Sequence, residues 1–213
     1  MTATTPASTP ASAPASTRQP VYTHLVEGFG TVTITPVDPA ADSALIHSWV
    51  TQERARFWGM GEASRELVQE IYEDVDRRTT HHAFMIAREG EQVALFQTYD
   101  CAEDRVSECY EVQPGDVGVH LLIGPTKGEA QRGFTAGLLS AFVSYLFSDG
   151  GARRAVAEPD ASNAKAIALL ERTGFVLGPE IELPEIDLPE VYLPAKAARL
   201  AFLDAPAPLP ETR

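Results

Sequence analysis

VGVHLLIG (117–124), AQRGFTAGLL (130–139) and EPDASNAKAIALLERTGF (158–175) follow one another in the second half of the chain, and their order decides the fold. The first reads as a buried strand carrying a single histidine, His120. In the second, Gly133 stands at a strand-to-helix junction. A glycine there lets backbone N–H groups approach a phosphate, and the helix N-terminus adds its positive dipole end. Behind it Phe134, Leu138, Leu139, Phe142 and Leu146 recur at spacings of three and four, the pattern of a core-facing helix. Taken alone, such a turn is also ordinary architecture. RRAVAEPD (153–160) then reads as a short buried strand closed by Pro159. Asp160, Ser162 or Asn163 can cap a helix over 164–173 that Gly174 ends.

Upstream, TVTITP (31–36) alternates as a strand, and 41–51 and 64–78 have helical spacing. AFMIARE and QVALFQTYD form a hairpin around Gly90. The order is strand, two helices, three strands, helix, strand, helix and terminal strands: an α/β layered domain around a mixed sheet. One segment stands apart. PEIELPEIDLPEVYLP (179–194) repeats Pro-Glu-Ile/Val-x-Leu, and a proline every five residues excludes a continuous helix and disfavours a central strand. An extended or turn-rich excursion is expected there, either a rim over a pocket, a dimer contact or an expanded surface loop.

With 213 residues, 44% hydrophobic and 22% charged, the chain suffices for one core. That domain is expected over 23–204, between a disordered Ala/Ser/Thr/Pro-rich tail (1–22) and a short disordered tail (205–213). The N-terminal stretch has neither a basic start nor an apolar centre, and no run approaches the ~20 apolar residues of a membrane span. The net charge of -13 argues against nucleic acid or an anionic membrane as partner. Cys101 and Cys109 read as reduced thiols compatible with a cytoplasmic location, although a bridge between them stays geometrically open. His81 and His82 read as a solvated pair without ligand spacing, and no metal is expected.

These segments resemble the GNAT acyltransferase superfamily, whose pyrophosphate loop is followed by a helix carrying N-x-x-A and ending in E-x-x-G-F. Asn163, Ala166, Glu171, Gly174 and Phe175 stand in that register. The resemblance implies the GNAT fold, a central mixed and mostly antiparallel sheet flanked by helices. It also implies acetyl-CoA or another short acyl-CoA as co-substrate. Ala130 stands where the loop's Gln or Arg would be and Thr135 replaces its second Gly, so Arg132 or Lys127 would supply the charge. Leu170 occupies the position of the Tyr that protonates the leaving thiolate in many of these enzymes. A narrower resemblance lies in HSWVTQERARFWGM (47–60), YEVQPGDVGVHLLIGP (110–125), RGFT (132–135), VAEPD (156–160) and LPAKAARLAF (193–202). Together these look like the siderophore-biosynthesis branch, which acylates the N-hydroxylated side-chain amine of lysine or a related diamine to a hydroxamate for iron acquisition. In that branch the strand histidine and the acid before the Pro-Asp turn form the catalytic pair, carried here by His120 and Glu158.

The residue chemistry agrees with that assignment. Aminolysis of a thioester needs an uncharged nitrogen, a group to take its proton and stabilisation of the oxyanion. A hydroxylamine is already neutral near pH 7, so His120 need only remove a proton, and Glu158 would orient the imidazole or bind substrate. The bland alternative for His120 is a half-buried histidine bonding a neighbouring strand, and Asp160 reads as a cap. Backbone groups of Leu121, Leu122 and Ile123 are candidate partners of the thioester or pantetheine arm. Lys127, Arg132, Gly133, Phe134, Thr135, Asn163 and Lys165 are candidates for the coenzyme's phosphates. His47 and Trp58 are candidate acceptor contacts, while Trp49 and Phe57 read as core. The expected partners are the small hydroxylamine and acyl-CoA, on a monomer or homodimer. Two alternatives remain: a GNAT acetylating a protein N-terminus or small-molecule amine, and a coenzyme A-binding module without turnover.

Overall fold

The computed structural model describes residues 18–125, 128, 131, 133–148, 151–188 and 191–206. An eight-stranded sheet runs in the order β1 (Tyr22–Val26), β2 (Gly30–Pro36), β3 (His81–Arg88), β4 (Glu91–Asp100), β5 (Asp116–Ile123), β6 (Arg154–Ala157), β10 (Lys196–Asp204) and β7 (Val176–Leu183). Every pairing is antiparallel except β5 with β6, so the expected mixed, mostly antiparallel sheet flanked by helices is what forms.

Helix α1 (Pro39–Val50) starts where Asp38 accepts the Ala41 N–H at 3.1 Å, and Asp42 returns a bond to the Asp38 N–H at 2.8 Å. Ser64 caps α2 (Arg65–Arg77) through the Leu67 N–H. These helices and a 3-10 helix, Glu53–Trp58, cover one face of the sheet, burying Ile46, Trp49, Val50, Val68 and Tyr72 against Met85, Leu95 and Leu122. The other face packs on α3 (Phe134–Ser148), whose Leu138, Leu139, Phe142 and Leu146 meet Phe84, Phe96, Val119 and Ala155. Gly137 is required there, because a Cβ would come within 2.5 Å of the Phe29 ring. Helix α4 (Ala164–Arg172) follows β6.

The structure departs from the sequence expectations in four places. Strand β1 was not foreseen. It makes the first sheet edge, and Arg18, placed in the tail, forms a bidentate pair with Asp76 at 2.6 and 2.8 Å. The segment 179–183 is strand, not excursion. Pro179 is admissible because β7 is an edge strand, where a missing N–H donor costs the sheet nothing. The excursion proper carries a two-stranded hairpin, β8 (Ile186–Leu188) with β9 (Val191–Leu193), and Arg105 Nη1 donates to both of its feet, Pro184 O at 2.9 Å and Pro194 O at 3.0 Å. Finally, His81 is not solvated. It opens β3, bonds Thr80 Oγ1 at 2.9 Å and stacks on Tyr99 at 5.8 Å. Cys101 and Cys109 are both free thiols, and burial pushes Cys101 up to about 12. Among the described residues no helix is long and apolar enough to cross a membrane.

Candidate active site

Strands β5 and β6 are paired only at their beginnings, Asp116 to Gly118 against Arg154 to Val156. Beyond Gly118 the two diverge, and β5 continues alone against β4. The Gly124 N–H donates to Val93 O of the preceding hairpin at 2.7 Å. Strand alternation therefore turns the peptide groups of Leu121 and Ile123 into the gap on the β6 side, while Leu122 faces β4. The Ile123 carbonyl in that gap receives the Arg54 guanidinium, which also reaches Gly124 O at 3.2 Å.

His120 and Glu158 meet across the mouth of this gap. His120 sits two residues past the last β5–β6 pair, and Glu158 directly follows the end of β6. Both project to the α1–α2 face, where His120 Nε2 bonds Glu158 Oε1. The other carboxylate oxygen accepts the Tyr99 hydroxyl at 2.6 Å. Glu158 is 5% exposed but the imidazole 41%, so one side of the pair is open. Burial opposes charge on both groups, yet their mutual attraction and hydrogen bond outweigh it. Glu158, helped by Tyr99, is held below the usual carboxylate value, and His120 above the ordinary imidazole value. The Tyr99 phenol beneath is pushed well up by burial and by Glu158.

The second imidazole nitrogen looks the other way. Nδ1 lies 3.4 Å from Oε1 of Gln97, the residue directly opposite His120 on β4. Gln97 Nε2 donates in turn to the Tyr72 hydroxyl at 3.3 Å. The Trp58 ring stands edge-on to the imidazole at 6.2 Å, at the end of the 3-10 helix.

Trp58 is therefore brought to the pair, whereas His47 is half-buried on α1 in electrostatic reach of Glu66. Trp49 is core as expected, but Phe57 is not: it is half-buried, with the Arg56 guanidinium 4.5 Å from its ring. Gly133 takes φ 83° immediately before α3, with Phe134 and Thr135 in the first turn. Lys127 and Arg132 lie outside the described residues. Asn163 caps α4 through the Ala166 N–H at 3.2 Å, and Lys165 is exposed in its first turn. Asp160 builds a turn onto Ser162 instead of capping the helix. Leu170 packs into the core beside α3.

Sequence reasoning assigned no role to four contributors. Gln97 and Tyr99 carry no motif, and only the β4–β5 register aligns them with His120. Lys196, at the start of β10, lies within electrostatic reach of His120, Glu158 and Asp160. Arg88 leaves β3 towards the N-terminus of α3, where it holds Phe29 O at 2.7 Å and Gln131 Oε1 at 2.5 Å. It puts a fixed cation beside the glycine turn.

Residues 38–183 match the family model for the acetyltransferase (GNAT) domain. The chain is 28% identical over 141 residues to an N(6)-hydroxylysine O-acetyltransferase of Escherichia coli, covering 65% of this chain and 44% of that protein. It is 31% identical over 166 residues to an N(5)-hydroxyornithine:cis-anhydromevalonyl coenzyme A-N(5)-transacylase of Beauveria bassiana, covering 75% and 35%. It is 26% identical over 141 residues to a lysine N-acyltransferase of a Mycobacterium species, covering 65% and 57%. The chain thus spans between about a third and somewhat over half the length of these curated relatives. An uncharacterized protein from Bacillus halodurans superposes with a TM-score of 0.68 at 23% identity, covering 88% of this chain and 90% of that one. The aminoglycoside acetyltransferase AAC(6')-Ib, solved with coenzyme A, gives 0.65 at 22% identity, covering 81% and 94%. At that identity these two likenesses are of fold.

Proposed function

The chain belongs to the GNAT acetyltransferase family, and from that premise we propose that it transfers an acyl group from coenzyme A to the hydroxylated side-chain nitrogen of lysine or a related diamine, giving a hydroxamate for siderophore biosynthesis. The observation that carries this reading is the half-open His120–Glu158 pair at the mouth of the β5–β6 gap, with Trp58 beside it. The named activities of the relatives in Escherichia coli, Beauveria bassiana and Mycobacterium support the choice of nucleophile.

Acyl-CoA fits this chain on two grounds. The outward peptide groups of Leu121 and Ile123 suit an extended amide-bearing arm. Gly133, Phe134 and Thr135, at a positive-φ turn opening a 15-residue helix with Arg88 alongside, suit a pyrophosphate. The acyl carbonyl would then lie near the gap's mouth. There the hydroxylamine nitrogen, neutral near pH 7, attacks the carbonyl carbon. The new C–N bond forms, the nitrogen's proton goes to the His120–Glu158 pair, and the C–S bond breaks to release thiolate. An alkylammonium would first have to lose a proton against an acidic field of -13. A hydroxylamine avoids that step. His47, Lys165, Lys127 and Arg132 remain assigned as outer contacts of acceptor and coenzyme.

The test is thiol release from acetyl-CoA and succinyl-CoA with N6-hydroxylysine and N-hydroxycadaverine, each against its non-hydroxylated parent. Preference for a hydroxylated acceptor is expected. Equal rates with the parents would transfer the protein to amine acetylation, and tight coenzyme A binding without turnover would make it a binding module.

A further inference from the structure

Arg54 is exposed on the 3-10 helix Glu53–Trp58, yet its guanidinium reaches back to the sheet. There Nη2 donates to Ile123 O and, at 3.2 Å, to Gly124 O. In a chain with 30 acidic and 17 basic residues, it has no carboxylate partner among the described residues. Arg56 on the same helix shows the ordinary arrangement, an ion pair with Glu53 at 3.4 Å. Neutral carbonyls are weaker partners for a full charge than an anion is, so Arg54 is held by bonds that a phosphate can outbid.

The oxygen it covers is the important one. Gly124 turns its N–H to β4, so the Ile123 carbonyl faces the opposite way, into the β5–β6 gap. A donor paired with β5 on that side stands about 4.8 Å from the strand, and at Ile123 the guanidinium already takes that oxygen. Just beyond, the chain leaves Gly124 for the positive-φ turn at Gly133 that opens α3. Arg88 belongs to the same end of the sheet, because its partner Glu91 begins the strand whose Val93 receives the Gly124 N–H. Two arginines on different elements thus approach the end of β5, and only Arg54 reaches into the gap.

We propose that Arg54 is a coenzyme-binding residue with two positions: it releases Ile123 O to the amide of the pantetheine arm and turns its guanidinium onto the phosphate nearest that arm. The exchange replaces bonds to neutral carbonyls with a charge-assisted pair. It also makes the two halves of the ligand interdependent. A ligand with the arm but no phosphate has to displace Arg54 with nothing to receive it, so the gap discriminates against fragments of the coenzyme. This role rests on the acyl-CoA reading of the gap.

The experiment is an NMR titration of full-length wild type, Arg54→Met and Arg54→Lys with pantetheine, 4′-phosphopantetheine and coenzyme A, with turnover on N6-hydroxylysine measured in parallel. Arg54→Met uncovers Ile123 O and should bind pantetheine more tightly, by roughly 3–10-fold. The same variant should bind 4′-phosphopantetheine and coenzyme A more weakly, by roughly 5–30-fold, and with a shallower salt dependence than wild type. Arg54→Lys keeps the charge and should stay closer to wild type on all three ligands. The signature is the change of sign between pantetheine and its phosphate. Weakening of all three ligands alike, or no change in any, overturns the two-position role. Wild type that binds none of them overturns the acyl-CoA reading and this role together. Shifts of opposite sign without turnover of a hydroxylamine uphold the role of Arg54 and remove the acyltransfer reading.

Discussion

Glu158 is ionised at a place where burial alone would neutralise it, and the consequence is two pH dependences that do not coincide. His120 has a folded pKa above its ordinary 6.5, so its contribution to stability is fully present below 6.5 and is lost as pH rises through the folded value. Glu158 has a folded pKa below its ordinary 4.5, so its contribution is present above 4.5 and is lost as pH falls through the folded value. The pair therefore stabilises the fold most between about 4.5 and 6.5. Catalysis needs the unit deprotonated, so the acid limb of kcat/KM should lie above 6.5 and the best rate on the alkaline side of the best stability. Glu158→Gln should lower kcat, move the limb downwards and flatten the melting-temperature profile in the acid window. A limb that stays in place in this variant would mean that Glu158 does not set the titration. His120→Ala should cost roughly 10²–10⁴-fold in turnover without loss of fold.

At the level of the strands, the site depends on a residue with no side chain. A Cβ on Gly118 would come within 2.0 Å of the Tyr99 ring, and that ring carries the hydroxyl bound to Glu158. Gly118→Ala should displace Tyr99, unseat the carboxylate and lower stability by about 1–3 kcal/mol, with activity falling further than stability accounts for. Equilibrium denaturation and a rate at permissive temperature separate the two effects. The sequence signalled elements where the signal is local. Asn163 and Ser64 stand at their caps, Gly133 before its helix, and apolar spacing marked α3. It did not signal β1, whose YTHLV borders a tail of low complexity, nor Pro179 within β7, because edge position is a property of the sheet and not of the segment. His120 and Glu158 stood in motif-bearing segments. Gln97 and Tyr99 did not, since what makes them functional is the β4–β5 register, a long-range fact that no local pattern encodes.

Across the whole molecule, a net charge of -13 would have to coexist with the polyanionic co-substrate proposed above, and three cations stand where that proposal needs them. Arg88 stands at the glycine turn, Arg54 at the far end of the gap and Lys196 by the reacting pair. These three come from β3, the segment after α1 and the start of β10, so a sequence-local search for basic residues near the loop picks out Lys127, Arg132 and Lys165 instead. The hairpin β8–β9 belongs to none of this. Its two feet share one nitrogen of Arg105, so they lie close enough for a two-residue turn to join them, and the sheet strands on either side end before it begins. Replacing 185–193 with Gly-Asn should shift the melting temperature by no more than a few degrees and leave thiol release intact, whereas a large drop in melting temperature would count against this separability. The clamp makes that stretch of chain a socket: a reporter, an affinity peptide or a second domain grafted between Pro184 and Pro194 would be presented on a fixed base without threading through the catalytic layer.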